Sequence, residues 1–275
     1  MRVCLLASGS RGNAALIEAD GCRLLIDAGL SAREIDRRLA TLELEGSDLN
    51  AIIVSHEHHD HTCGIGPLAR RYQLPVYIDT QTVNQLPKLG KIADLRYFKA
   101  GEKLSLQNLT IETFSTAHDA VNPVGFVIDS SEGRIGYATD LGLATRLVVE
   151  QLRNCRVLVL EANHDEQMLL DGPYPWHLKQ RIRGRLGHLS NTDSVKLLNE
   201  IAWDGLEALF LAHLSGDNNC PKLVEDLIHT ALNQIDGCQP LVVVGCQSIA
   251  SACYFGEELA VGLSKAEVSS VNSTF

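Results

Sequence analysis

The stretch VSHEHHDHTCGI, from Val54 to Ile65, decides both the fold and the chemistry of this chain. It continues an apolar run that begins at Ala51, and its HEHHDH segment holds four of the ten histidines within six residues. Ionisable side chains are costly to bury unless they are paired or bound to a metal. Imidazole and carboxylate groups are ligands of zinc and similar divalent ions. The stretch therefore predicts a metal site where a buried strand ends, rather than a solvated polar loop.

The HEHHDH cluster has side chains for two ions. A turn that leaves the strand directs the first two alternate histidines to one point. The aspartate–histidine pair that follows faces a second point, as the next helix starts. These two pairs are His56 with His58, and Asp60 with His61. The intervening Glu57 and His59 are interpreted as non-ligands.

Three further polar residues each follow an apolar strand much later in the chain. They are His118 in STAHDA, Asp140 in YATDLG and His213 in LAHLSG. Taken singly, each could be a capping or turn residue. Their recurrence at strand ends, where loops collect at the edge of a sheet, favours one shared site.

Composition sets the class of protein. With 275 residues, 45% apolar and 21% charged, the chain has ordinary globular composition. A net charge of −10 argues against a basic nucleic-acid coat protein but permits a local basic patch. The N-terminus lacks a charged-then-apolar leader, and runs such as Leu241–Val244 are far shorter than the ~20 residues of a membrane span. The eight cysteines form no CxxC pair and are interpreted as reduced, so we expect a soluble cytosolic protein.

The order of predicted elements indicates two sheets. Two successive β-rich halves, each followed by helices, predict an α/β chain with two sheets packed face to face and helices outside. We expect one domain over residues 1–265 and a loose tail over 266–275. The predicted strands are Arg2–Leu6, Ala14–Ala19, Arg23–Asp27, Ala51–Ser55, Pro75–Ile78, Leu104–Ser115, Gly125–Ser130, Arg134–Thr139, Val157–Glu161, Ala208–His213 and Pro240–Val244. The predicted helices are 31–42 (with Ser31 and Glu34 as a capping box), Gly66–Tyr72, Thr145–Asn154, Thr192–Ile201 and Pro221–Ile235, and 163–191 is irregular.

HEHHDH matches the HxHxDH signature of the metallo-β-lactamase superfamily, and the three later partners match its later motifs. Asp27, in LLIDAG, matches the first motif of that superfamily. The resemblance implies the metallo-β-lactamase fold, a four-layer αββα sandwich of two mixed β-sheets. It also implies two divalent metal ions (zinc, manganese or iron) held by His56, His58 and His118, by Asp60, His61 and His213, and by Asp140 as a bridge. Asp27 would support a ligand without binding an ion.

A pair of divalent ions points to hydrolysis. Two ions ~3.5–4 Å apart can bridge a water and lower its pKa towards ~7. The resulting hydroxide, oriented by Asp60, needs no serine or cysteine nucleophile. EANHD and GHLSN contribute further groups, and related tRNA 3′-processing enzymes carry a Glu/His pair outside the ligand set. That likeness implies His188 as proton donor, with Glu161 or His164 as its support; alternatively, His188 only caps the helix after Asn191.

Two loops could contact substrate. KQRIRGR, residues 179–185, has four cations in seven residues and is either a phosphate clamp or a solvated helix face. Arg181, Arg183 and Arg185, with Ser190 of the following turn, are candidate substrate contacts. SGSRGN, residues 8–13, lacks the following helix and Lys-Ser/Thr ending of a P-loop. We interpret it as a plain hairpin turn, in preference to a loop that borders the metals.

SGSRGN, EANHD, GPYP, GHLSN and LAHLSGDNN together resemble the YycJ family, also called WalJ. The resemblance implies an exonuclease that works on double-stranded DNA from the 5′ end, so the expected partner is nucleic acid or another phosphodiester. One alternative is a hydrolase of a small thioester, lactone or cyclic phosphodiester. Another is a non-catalytic metal-binding regulatory protein, whose ion sites would be fully closed by protein. The sequence leaves the oligomeric state open.

Overall fold

Two β-sheets face each other, each built mainly from one half of the chain. The computed structural model describes residues 1–256 and 259–260, so the domain limit at 265 and the tail at 266–275 lie outside the described residues. The first sheet has eight strands in the order β15-β14-β1-β2-β3-β4-β5-β6, and the second has seven in the order β13-β12-β11-β10-β9-β8-β7. The strands are β1 Arg2–Ala7, β2 Ala14–Ala19, β3 Cys22–Ile26, β4 Ala51–Ile53, β5 Val76–Asp79, β6 Leu95–Phe98, β7 Lys103–Leu106, β8 Leu109–Ser115, β9 Val124–Ser130, β10 Gly133–Ala138, β11 Val157–Glu161, β12 Ala208–Ala212, β13 Leu241–Val244, β14 Cys253–Tyr254 and β15 Leu259–Ala260.

Both sheets are mixed, and the arrangement of their parallel strands positions the site. In the first sheet β3, β4, β5 and β6 are parallel neighbours. In the second sheet β10, β11, β12 and β13 are parallel neighbours. The carboxyl ends of parallel strands lie at one edge of a sheet, and ligands of α/β proteins bind beyond that edge. The loops after β4, β10 and β12 carry six of the seven predicted metal ligands. The seventh, His118, follows β8, which is antiparallel to β9 and therefore runs in the same direction as β10.

Side chains that alternate between the two faces of each buried strand divide the hydrophobic core into layers. Val157 and Val159 of β11 pack between the two sheets, whereas Leu158 and Leu160 pack under the helices on the outer face. Successive side chains of a strand point to opposite faces, so a strand covered on both faces is apolar throughout. Each such Val or Leu stabilises the fold by about 1.5–3 kcal/mol relative to exposure. The predicted four-layer sandwich is confirmed.

The helices cover the outer faces of both sheets. Ile35 and Leu68 cover the first sheet, and Val148, Leu197 and Ile228 cover the second. None of the helices in the described part of the chain is long and apolar enough to cross a membrane. The helices are α1 Ala32–Ala40, α2 His59–Thr62, α3 Ile65–Tyr72, α4 Arg146–Leu152, α5 Glu166–Asp171, α6 Trp176–Ile182, α7 Asn191–Ile201 and α8 Pro221–Leu232, with 3-10 turns at Gly46–Asp48 and Thr82–Gln85.

Helix α1 begins as predicted but completes only half of the expected capping box. The Ser31 hydroxyl accepts a hydrogen bond from the Glu34 amide at 3.3 Å. The Glu34 carboxylate accepts bonds from Arg37 and Arg38 instead of turning back to the cap. These arginines lower the pKa of Glu34 to about 2, through hydrogen bonds that outweigh the opposing effect of burial.

Several segments differ from the sequence prediction. The predicted strand Leu104–Ser115 is the hairpin of β7 and β8, which turns where Gln107 adopts a φ of 52°. Strand β6 was not predicted, and the segment 163–191, predicted to be irregular, contains α5 and α6. None of the eight cysteines, all within the described residues, is joined in a disulfide.

Candidate metal centre

Three candidate site residues take a left-handed backbone conformation just after a strand ends. Asp27, Asp140 and His213 have φ angles of 59°, 56° and 57°. This conformation costs a non-glycine residue on the order of 1–3 kcal/mol and is concentrated at functional sites. Hydrogen bonds hold two of the turns: the Asp27 amide donates to Ile53 O at 2.9 Å, and the His213 amide donates to Ser8 Oγ at 2.6 Å.

The HEHHDH segment packs directly against the loop that follows β3. Strand β4 ends at Ile53, and the cluster continues into the single helical turn α2. A Cβ atom at Gly29 would lie 1.6 Å from the carbonyl oxygen of Asp60. Only glycine therefore allows the backbone of Asp60 to approach this loop, where the Asn13 amide also donates to Asp60 O at 2.7 Å.

His56, His58 and His118 form the first of the predicted ligand groups, with nitrogen atoms within 4.8 Å of one another. His118 Nδ1 donates to the Gly187 carbonyl at 3.0 Å, so its Nε2 faces His58 Nδ1 at 3.3 Å. His56 Nε2 is buried and makes no hydrogen bond within the described residues. Burial lowers the pKa of His56 and of His118, which keeps their rings neutral and able to bind a metal.

Asp60, His61 and His213 form the second group, also within 4.8 Å. Asp27 Oδ2 lies 2.7 Å from His61 Nδ1, and because a carboxylate only accepts, Nδ1 carries the proton. His61 Nε2 is thereby turned towards the site, 3.6 Å from Asp60 Oδ2. The predicted support role of Asp27 thus has a geometric basis, since such a bond fixes the tautomer of a ligating histidine.

Asp140 touches both groups. Its Oδ2 lies 3.2 Å from His61 Nε2, and its Oδ1 lies 3.7 Å from His118 Nε2 and 3.0 Å from His213 Nδ1. Burial raises the pKa of Asp140, but the charges of His213 and His61 outweigh it and hold that pKa well below its usual value. A bridging position between two ions suits this carboxylate.

These contacts provide a test of whether the residues fit metal ions. Burial opposes protonation of His61, yet Asp140 and Asp27 raise its pKa well above the usual value. In the metal-free protein a proton on His61 therefore balances the adjacent carboxylates. A divalent ion replaces such a proton when it binds. The neutral His56, with its unpartnered nitrogen, and the charge-dense Asp140 region fit divalent cations.

Glu161 holds His188 beside the two groups. Glu161 Oε1 lies 2.7 Å from His188 Nδ1 and 3.1 Å from His213 Nδ1, while Oε2 accepts from the Leu141 amide at 2.9 Å. Burial raises the pKa of Glu161, but His188 outweighs it and the pKa falls to about 2. Glu161 is therefore a carboxylate that orients His188. By distance alone, Asp140, Glu161, His188 and His213 also form a possible ligand group.

His164 is the other candidate support for His188. Burial lowers the pKa of His164 to about 4, and its Nδ1 makes no hydrogen bond within the described residues. Its main-chain carbonyl accepts from the Asn191 amide at 2.8 Å. No hydrogen bond of this Nδ1 joins His164 to His188 within the described residues, and the support role of His164 stays a prediction.

The structure does not support the prediction that Ser190 contacts substrate. Ser190 is buried and is the N-cap of α7, where its hydroxyl accepts from the Asp193 amide at 3.1 Å. It is not exposed to substrate. The same observation excludes the alternative interpretation that His188 is only a helix cap, because Ser190 is the residue that caps α7.

The basic segment divides into two parts. Lys179 is buried and donates to the Leu170 and Gly172 carbonyls at 2.6 and 2.7 Å, so it caps the end of α5 and cannot clamp a phosphate. Arg181 faces the site and pairs with Asp119 at 2.5 Å. Arg183 and Arg185 are exposed and make no ion pair within the described residues.

The two groups open into a pocket of about 240 Å³. Half-buried His58, Asp60 and His188 line it, so the candidate ligands can be reached from outside. Its remaining lining residues are Ser10, His118, Asp140, Asn163, Tyr174, Leu178, Arg181, Ile182, His213 and Ser215. The centre is therefore not closed by protein.

The segment SGSRGN borders this pocket, contrary to the preferred sequence interpretation. It does form the β1–β2 hairpin turn. However, Asn13 Nδ2 lies 3.2 Å from Asp60 Oδ2 and 3.0 Å from His61 Nε2. The sequence analysis did not identify Asn13, Ser8 or Asp119 as site residues. Only Asp119 had a signal in the sequence, its position directly after His118.

The two residues interpreted as non-ligands lie on the other side of α2. Glu57 Oε1 accepts from the Val121 amide at 2.8 Å. Glu57 and His59 line a separate cavity of about 340 Å³ together with Pro87 and Lys88.

Comparisons with known proteins agree with this architecture. The family described as "Beta-lactamase superfamily domain" matches residues 22–213. The chain is 35% identical over 233 residues to exodeoxyribonuclease YycJ of Bacillus anthracis, covering 84% of this chain and 88% of that one. It is 35% identical over 237 residues to exodeoxyribonuclease WalJ of Streptococcus pneumoniae D39, with the same coverage.

Solved structures show the same fold. The metallo-β-lactamase fold protein YhfI of Bacillus subtilis superposes with a TM-score of 0.69 at 19% identity, covering 90% of this chain and 97% of that one. The prediction of a metal-dependent hydrolase is confirmed by the family match and the clustered histidine and aspartate groups. The chain belongs to the metallo-β-lactamase superfamily and, within it, to the family of YycJ and WalJ.

Proposed function

We propose that this chain is a dinuclear metal-dependent phosphodiesterase that acts on DNA as an exonuclease from the 5′ end. The observation that carries the proposal is His188, which lines the pocket beside both ligand groups and is held there by the buried Glu161. A phosphodiester releases an alkoxide leaving group that needs a proton, and a carboxylate-held histidine can supply it. The names of the relatives, exodeoxyribonucleases YycJ and WalJ, support DNA as the substrate.

The residues would act in separate roles. His56, His58 and His118 would hold one ion, Asp60, His61 and His213 the other, and Asp140 would bridge them. When bound, two such ions activate water and stabilise negative charge on the attacked phosphate. Asp60 would orient the attacking water, Asp27 would fix His61, and Glu161 would keep His188 in place. Because the pocket is open, it favours a catalytic site over a purely regulatory metal site. We also propose that the protein is cytoplasmic.

The first test is metal content with activity. The purified protein should hold close to two divalent ions per chain, and His61→Ala should lower this to about one, because only the second group loses a ligand. Mass spectrometry measures the metal content. Because the His61 side chain is buried, circular dichroism checks that the variant still folds. Chelation should abolish cleavage of duplex DNA, and zinc, manganese or iron should restore it.

A single ion per parent chain, unchanged in His61→Ala and in His213→Ala, would reject the dinuclear arrangement. Cleavage of a thioester or lactone without any cleavage of DNA would instead favour a small-substrate hydrolase.

The arginines of the basic segment give a second prediction. Replacing Arg181, Arg183 and Arg185 by alanine should weaken DNA binding and flatten its salt dependence by about one unit of slope per lost phosphate contact. Small nitrophenyl esters should be hydrolysed as before. Binding titrations at several salt concentrations measure the slope. Arg153→Ala is the matched control, since Arg153 is an exposed cation at the end of α4 that pairs with Glu150 and does not line the pocket.

An unchanged salt slope in the triple variant would show that these arginines form only a solvated face. Arg181 contributes less if Asp119 keeps its ion pair in the complex, so Asp119→Asn should then increase affinity for DNA.

A further inference from the structure

A second cavity, here called the side groove, continues from the metal pocket. Its volume is about 670 Å³, and it lies beyond the ends of β12 and β13, where Leu214 and Cys246 form part of its wall. Ser10, Tyr174 and Ser215 line both the groove and the pocket. A molecule bound at the candidate ligands can therefore extend into the groove without leaving the protein surface.

The sizes of the two cavities suit different parts of a substrate. Ligand sites are typically about 300–1,000 Å³. The pocket, at about 240 Å³, is below this range and suits the reacting phosphate with its immediate neighbours. The groove lies well within the range, so it has room for an attached group.

The groove has one cation placed for a phosphate. The backbone amide of Arg11 donates to Gln247 Oε1 at 2.7 Å, which fixes the loop position. The Arg11 side chain is exposed and makes no ion pair or hydrogen bond within residues 1–256. A guanidinium of this kind binds phosphate bidentately. Arg11 lines the groove and not the metal pocket, whereas Arg181 of the basic segment lines the pocket and not the groove.

The groove also has an aromatic ring in its lining, that of Tyr174. The Tyr174 hydroxyl donates to Asp217 Oδ2 at 2.7 Å, which joins the GPYP loop to the loop after β12. The bond occupies the Asp217 carboxylate and limits rotation of the ring. Leu214 and Val244 add apolar surface. An aromatic ring and a cation beside an apolar wall are the elements that bind unstacked bases and backbone phosphates of single strands.

We propose that the side groove binds an unstacked nucleotide joined to the phosphodiester in the pocket, with Arg11 on its phosphate and Tyr174 against its base. This inference rests on the proposed nuclease function. A paired duplex would not expose a base to Tyr174, so the strand end must separate locally before it enters.

Cys246 reports occupancy of the groove without relying on turnover. It is half-buried and lines the groove, whereas Cys63 is half-buried in the separate cavity behind α2. Burial alone would raise the pKa of Cys246, but hydrogen bonds from Ser248 lower it and favour alkylation. A short phosphorothioate oligothymidylate, which resists hydrolysis, should slow alkylation of Cys246 in the metal-loaded protein and leave Cys63 unaffected, as measured by peptide mass spectrometry.

Fluorescence anisotropy with the same oligonucleotide measures affinity in parallel. Tyr174→Ala should weaken binding by about 5- to 150-fold, the range for loss of one base stack, and Tyr174→Phe should retain most of the affinity. Arg11→Ala should weaken binding and flatten its salt dependence, whereas Arg153→Ala should do neither. Bound oligonucleotide with Cys246 alkylated at the free rate would overturn the groove assignment and leave the nuclease proposal standing. Failure of the parent protein to bind any oligonucleotide would reject both.

Discussion

Replacing Asp60 by alanine should reduce DNA cleavage by about 10³-fold or more, with little loss of folding stability. Removal of one preorganised electrostatic group at a reacting centre costs about 10²–10³ in rate. Asp60 has two proposed roles, as a ligand in the second group and as the carboxylate that orients the attacking water, so the loss should reach or exceed that range. Cleavage rates under metal-saturating conditions measure the effect.

The small effect on folding follows from the surroundings of Asp60. Its side chain is 24% exposed, and its carboxylate accepts one side-chain hydrogen bond, from Asn13 at 3.2 Å. Loss of such a bond changes the free energy of unfolding by about 0.5–1.5 kcal/mol. Glu57→Gln is the matched control, because Glu57 lies in the same HEHHDH segment but faces Val121. Near-normal activity of Asp60→Ala with metals restored would refute the assigned mechanism.

The ligand positions were predictable because they depend on strand ends. A polar residue directly after a buried apolar run, as at His213, must lie at a sheet edge, and parallel strands gather these edges together. The sequence does not reveal the left-handed turns at Asp27 and Asp140, which set the direction of each side chain. The left-handed turn at His213 likewise depends on a distant partner, the Ser8 hydroxyl, which accepts a hydrogen bond from the His213 amide.

The segment between β11 and α7 could not be predicted, for two reasons. Helix α5 spans six residues and α6 seven, too short for a clear 3.6-residue pattern or for stability in isolation. They form because tertiary contacts satisfy their ends, as Lys179 does for α5. A cation that caps carbonyls and one that faces solvent look alike in sequence, so Lys179 and Arg183 were grouped together.

Glycine contacts explain why His188 reaches the centre at all. A Cβ atom at Gly142 would lie 2.4 Å from the Gly187 amide nitrogen, so the loops after Asp140 and before His188 touch only because this residue is glycine. The Gly187 carbonyl then accepts the hydrogen bond of His118. The glycines of DLG and LGHLS were visible in the sequence, but their mutual contact was not.

His188→Ala should slow cleavage of DNA by about 10²–10⁴-fold, the usual contribution of a general acid. Glu161 holds Nδ1 of His188 at 2.7 Å, so Nε2 is the atom free to deliver a proton to the leaving oxygen. The loss should shrink towards unity with a bis-nitrophenyl phosphodiester, whose leaving group departs without a proton. Steady-state rates with both substrates measure this difference, and His177→Ala, an exposed histidine on α6, is the matched control.

Metal content separates the proton-donor role of His188 from a ligand role. His188 also lies within ligand distance of Asp140, Glu161 and His213, and if it bound an ion, His188→Ala would lose metal and would slow both substrates alike. We expect two ions to be retained, with only the unactivated substrate slowed. His188→Gln should not restore activity, because an amide can donate a hydrogen bond but does not give up a proton. Equal losses on DNA and on the nitrophenyl ester, with metal content unchanged, would show that His188 positions substrate and donates no proton.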